Sequence, residues 1–147
     1  MAFAEYEVVV QRDAMSVYNF LLDPRNLVSW RDGISGVELI SGAAGSMGAV
    51  YRPFFAGTAQ PAVADFELTA TRPGAEIQFQ VIAGPARPHG GYYLSTEGGS
   101  TRVRFALRYR PPGAGVLMYP KVRRAMKAQV AQLERLKAVL EHQRAAA

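Results

Sequence analysis

The chain has 147 residues, no cysteine and a formal net charge of +5. That length suits one domain covering residues 1–147, large enough to bury a core without a disulfide or metal staple. The missing cysteines exclude a disulfide framework, a thiolate zinc site and a cysteine nucleophile, and they fit a reducing compartment.

Glu5 and Glu7 interrupt the opening residues before an apolar run builds, so no secretory signal is expected and a cytoplasmic location is. No apolar run approaches the roughly 20 residues that span a bilayer, so no integral membrane association is expected. Tyr6, Val8 and Val10 alternate with Glu5, Glu7, Val9 and Gln11, the period of a strand with one mostly wet face. Asp13 is placed to cap a helix whose Met15, Tyr18, Leu21 and Leu22 recur at helical spacing. Asp23-Pro24 stops that helix and opens a second short one, with Leu27 and Trp30 on its inner face.

Strand patterns fill residues 37–109. Inner residues are expected at Ala49 and Tyr51, then Ala64, Phe66 and Leu68, then Ile77, Phe79 and Val81, then Tyr92 and Leu94, then Val103, Phe105 and Leu107. Turn signals at 42–45, 72–74 and 98–100 separate them and predict an antiparallel meander of hairpins. The last element is a long helix over about 115–143, with Val122, Met126, Val130, Leu133, Leu136 and Leu140 as its apolar stripe. We expect it to start near Val116 and to kink at Pro120. That start moves Lys121, Arg123, Arg124 and Lys127 away from a terminus whose dipole disfavours cations. The stripe has only the sheet's apolar face on which to bury itself.

Four segments in this order carry a resemblance: Val17-Tyr18-Asn19-Phe20-Leu21-Leu22-Asp23-Pro24 with Trp30; Gly48-Ala49-Val50-Tyr51-Arg52; Gly99-Ser100-Thr101-Arg102-Val103-Arg104-Phe105; and the helical run 133–141. Together they resemble the START-like superfamily, also called SRPBCC or birch-allergen-like. Within it the chain looks most like the bacterial polyketide cyclase/dehydrase and lipid-transport group, over essentially its whole length. The resemblance implies an α+β helix-grip fold, in which a curved seven-stranded antiparallel sheet wraps a long C-terminal helix. It also implies a cavity between sheet and helix, roofed by the two short helices. Similar proteins bind lipids, hormones or polyketides, some catalyse cyclisation, and others are chaperone-interaction modules, so the fold alone does not settle the function.

The residues expected to contact a ligand are Trp30, Tyr51, Phe66, Phe79, Tyr92, Leu94, Phe105 and Met126, weighed against a plain packed core. Tyr51 and Tyr92 stand out, because a buried hydroxyl needs a partner. His89 suits a general base by its ordinary pKa, yet alternation turns it outward unless Gly90 and Gly91 form a bulge. Arg52 and Arg87 are candidates to anchor an anionic head group. Asp65 and Glu67, like Glu76, Gln78 and Gln80, are expected on the wet face, paired with the arginine row Arg102, Arg104 and Arg108. The sequence carries no phosphate-binding glycine loop, nucleophile elbow, zincin motif or RNA-binding sheet pattern.

The first expectation is therefore a carrier or binding protein for a small hydrophobic ligand, lipid or polyketide-like, with no cofactor and no metal. It would act as a monomer or homodimer. The spread of basic residues reads as solubilising surface charge rather than as a nucleic-acid footprint. One alternative is a cyclase or dehydratase drawing on Tyr51, Tyr92, Arg52 or His89 for proton transfer. Another is an interaction module that docks Lys121, Arg123, Arg124 and Lys127 on an acidic partner.

Overall fold

The computed structural model describes residues 1–57, 64–84, 86–110 and 119–146. Strand β1 (Ala2–Val10) buries Ala2, Ala4, Val8 and Val10 and turns Glu5 and Glu7 outward, as the alternation requires. Asp13 caps α1 (Ala14–Leu22) by accepting from the Ser16 N–H at 3.0 Å and the Ser16 hydroxyl at 2.6 Å. It thereby satisfies a donor that every helix start leaves open. Asp23 accepts from the Arg25 N–H at 3.1 Å, and Pro24 opens a 3-10 turn (Pro24–Asn26) leading into α2 (Leu27–Trp30).

The remaining strands are β2 (Ile34–Ser41), β3 (Val50–Phe55), β4 (Phe66–Arg72), β5 (Glu76–Val81), β6 (His89–Glu97) and β7 (Ser100–Tyr109). They form one seven-stranded sheet in the order β1-β7-β6-β5-β4-β3-β2, with every neighbouring pair antiparallel. Helices α3 (Tyr119–Ala131) and α4 (Leu133–Ala146) follow, and they bury Met126, Val130, Leu133, Leu136 and Leu140 in one core with Val103, Phe105 and Leu107 of β7. Apolar residues at helical steps can only reach a common face, and that face meets the sheet. The architecture is the α+β helix-grip arrangement expected.

Two details depart from expectation. The expected helix start near Val116 lies outside the described residues. Within them, the helix is interrupted at Gln132, whose N–H bonds to Gln129 O at 3.2 Å. The second correction concerns Asp65. It is buried, and its partner is Arg52 on β3, with Nε–Oδ1 at 3.0 Å and Nη2–Oδ2 at 2.9 Å. The arginines of β7 cannot reach it, because β7 lies between β1 and β6. Arg102 instead pairs with Glu7 and Glu97, and Arg104 with Glu5.

Candidate functional site

Among the described residues the β3–β4 ladder is short, through Val50–Glu67 and Tyr51–Phe66. A pocket of about 90 Å³ lies between the inner face of the sheet, the α1–α2 roof and α3. Pro53 and Phe55 come from β3, Phe66 and Leu68 from β4, Ile77, Phe79 and Val81 from β5, and Tyr92 from β6. Leu21, Pro24 and Leu27 cover it, and Arg31, Ile34, Ala64 and Gln129 complete the wall.

The volume is below the roughly 150 Å³ of an engineered cavity that admits benzene. It suits a small group or one end of a longer molecule. The rest of the expected cavity is filled with rings. Trp30 stands edge-on to both Tyr92 and Phe105 at 6.1 Å, and Tyr92 and Phe105 lie 4.6 Å apart. Each such pair adds about 0.5–1.5 kcal/mol beyond its area burial.

Of the expected ligand residues, Phe66, Phe79 and Tyr92 line the pocket. Trp30 and Phe105 sit behind Tyr92, whereas Leu94 and Met126 pack elsewhere in the core. Tyr51 stacks on Phe66 at 5.7 Å, and its hydroxyl accepts from the Gly45 N–H at 2.9 Å, so loop backbone is its partner. Arg52 is exposed and held by Asp65, and the Arg87 Nε donates to Gly84 O at 3.2 Å. β6 runs without a bulge from His89 to Glu97, so Gly90 and Tyr92 face inward and His89 outward, where its Nδ1 lies 3.2 Å from Arg108 Nη2. Among the side chains considered for proton transfer, Tyr92 alone reaches the pocket wall.

Burial pushes the Tyr92 phenol up to about 12, against the pull of the Arg31 charge and hydrogen bond. Tyr92 therefore stays protonated at neutral pH and keeps an O–H that can donate. Arg31 gave no signal in the sequence. α2 ends at Trp30, and the extended conformation of Arg31 (φ −97°, ψ 130°) turns its side chain back under the roof. Burial lowers its pKa, while Tyr92 works in the opposite sense.

On α3, Lys121, Arg123, Arg124 and Lys127 are exposed. Among the described residues no group of His, Cys, Asp or Glu side chains is placed to hold a metal ion, and no helix is long and apolar enough to cross a membrane.

His89 supplies a pH-dependent readout. Desolvation, then the Arg108 charge, lowers its folded pKa below the ordinary value of about 6.5. Between those two values the unfolded chain holds a proton that the folded chain refuses. Stability is therefore complete above the unfolded value and falls as pH drops through the window toward the folded one. Melting temperatures taken from pH 8 down to pH 5 are expected to fall less steeply in His89→Gln than in the parent. Parallel curves would contradict the shift.

A curved antiparallel sheet holding a long C-terminal helix, with two short helices over the opening, defines a START-like helix-grip domain. The chain belongs to the family described as polyketide cyclase/dehydrase and lipid transport, whose profile matches residues 1–141. Solved structures share the fold. A START superfamily protein from Mycobacterium smegmatis superposes with a TM-score of 0.77 at 15% identity, over 97% of this chain and 99% of its own. The protein TTHA0849 from Thermus thermophilus gives 0.74 at 18% identity, over 94% and 96%. The Zhui aromatase/cyclase from Streptomyces sp. R1128 gives 0.72 at 15% identity, over 96% and 92%. At these identities the likeness is one of fold. No curated protein matches the chain in sequence.

Proposed function

We propose that this protein binds a small, predominantly apolar molecule, or the apolar end of a longer one, in the pocket between the inner faces of β3 to β6 and the α1–α2 roof. The observation that carries this reading is a gap left in an otherwise packed core. Aliphatic and aromatic side chains from four strands and the roof converge on it. Binding would draw on apolar burial at roughly 25 cal/mol per Å², less the cost of ordering the ligand. A cytoplasmic location belongs to the same reading and is compatible with the absence of cysteine.

Native mass spectrometry of the purified protein, followed by organic extraction, tests it. A bound mass is expected to accompany the parent protein and to disappear in Val81→Trp, which places an indole in the pocket. The same spectra read the oligomeric state, expected to be monomer or homodimer. A clean mass that shifts with no fatty acid, sterol or aromatic polyketide would show the pocket to be idle.

A catalytic reading is supported by one observation, the protonated Tyr92 phenol beside the Arg31 cation in the pocket wall. Such a pair can donate to a carbonyl oxygen as charge develops on it during a cyclisation. Unchanged turnover of an aromatic polyketide precursor by Tyr92→Phe would remove that reading.

A further inference from the structure

An arginine drawn partly out of water is ordinarily matched by a carboxylate. Arg31, half-buried in the pocket wall, is not. None of the ion pairs among the described residues includes it. Asp32, the acid whose charge acts on it, is exposed and paired with Arg135.

Neutral groups hold the guanidinium instead. Gln132 Oε1 accepts from Nε at 3.1 Å, and the same oxygen accepts from the Asp32 N–H at 2.9 Å. The Gln129 amide, turned with its oxygen toward the fork, accepts from Nη1 at 3.1 Å and Nη2 at 2.8 Å. The Trp30 ring centroid lies 5.8 Å from the guanidinium carbon. A guanidinium carries about five N–H donors, so these amides leave some for Tyr92 and the pocket. The hydrogen bonding is largely met, but the charge is not. Partly removed from water, such a charge acts more strongly than it would in full solvent.

We propose that Arg31 anchors an anionic oxygen, a carboxylate or an enolate, so that the ligand of this pocket is an apolar acid rather than a neutral lipid. The proposal rests on the pocket reading above and adds the ligand's charge to it. Gln129 and Gln132 hold the fork in place from α3 and from the interruption between α3 and α4. The Tyr92 hydroxyl donates a second hydrogen bond to the same oxygen.

Octanoate and octanamide, matched in shape and differing in charge, are the probes, titrated into the full chain at pH 7.5 and followed by NMR. The parent is expected to bind octanoate about tenfold or more tighter than octanamide, the effect of one charge-assisted hydrogen bond. Arg31→Gln is expected to abolish that preference, lowering octanoate affinity by about tenfold and octanamide affinity by less. Arg31→Lys, which keeps the charge and loses the fork, is expected to retain part of it, and it carries the comparison if the Gln variant does not fold.

Equal affinities in the parent, both lost in Val81→Trp, would overturn the anchor and leave the apolar pocket standing. A preference that survives Arg31→Gln would overturn it too and would point to the exposed cations of α3. Binding of neither probe would remove the pocket reading, and the anchor with it.

Discussion

Replacing Trp30 with Ala is expected to cost about 3–5 kcal/mol, the range for removing a large aromatic from a core that only partly collapses. The melting temperature should fall by on the order of 10 °C for a chain of this size. Trp30 is 1% exposed and ends a helix of only four residues. So short a helix has no stability of its own, so α2 stays in place through what Trp30 packs on. Those contacts are the edges of Tyr92 and Phe105, with Arg31 over its ring. Urea unfolding with the slope m held constant would measure the loss. A loss under about 1 kcal/mol would mean that the roof repacks and that the cage is not what holds it. Trp30→Phe, which keeps a ring in the cage, should cost less.

Gly90→Ala is expected to destabilise by about 1–3 kcal/mol and to weaken ligand binding at the same time. The backbone is not the obstacle, since Gly90 is not among the glycines with positive φ. The obstacle is the space above it. An added Cβ would collide with Phe79 Cζ, and it would come within 2.7 Å of Phe79 Cε2 and 2.8 Å of Leu107 Cδ2. Phe79 and Gly90 are register partners on adjacent strands, and the ring lies over the site where a side chain would stand. Phe79 also lines the pocket, so displacing its ring alters the space a ligand would fill. Gly99→Ala is the control, because nothing lies within 4 Å of its added Cβ. It should be neutral or stabilising by a few tenths of a kcal/mol, roughly the gain from a stiffer unfolded chain. A double-mutant cycle with Phe79→Leu would assign the cost. Loss of additivity places it in that contact, and additive losses would place it elsewhere.

The elements were legible where a local period repeats. Alternation in β1, β5 and β7, the Asp13 cap and the stripe from Met126 to Leu140 each depend on neighbours a few residues away. The edges of elements were less so. β6 begins at His89, three residues before the predicted start at Tyr92, because the ladders with Gln80 and Arg108 draw the glycines into the sheet. His89 and Arg52 looked like reactive groups in the sequence. Cross-strand neighbours put the first beside Arg108 on the outer face and bind the second to Asp65.

The periodicity of the chain alone determined that there would be a sheet with one apolar face, a long helix to cover it and two short helices after the first strand, because burying apolar surface is a demand that each segment states for itself; the roof was implied by the family resemblance. Only the tertiary structure decided where that burial stays incomplete. The meeting of four strands with the roof and α3 sets the pocket, the sheet order chooses Arg52 as the partner of Asp65, and the interruption at Gln132 brings amides from residues about a hundred positions away onto Arg31. Those are contacts between distant segments, and no local pattern records the place where distant segments meet.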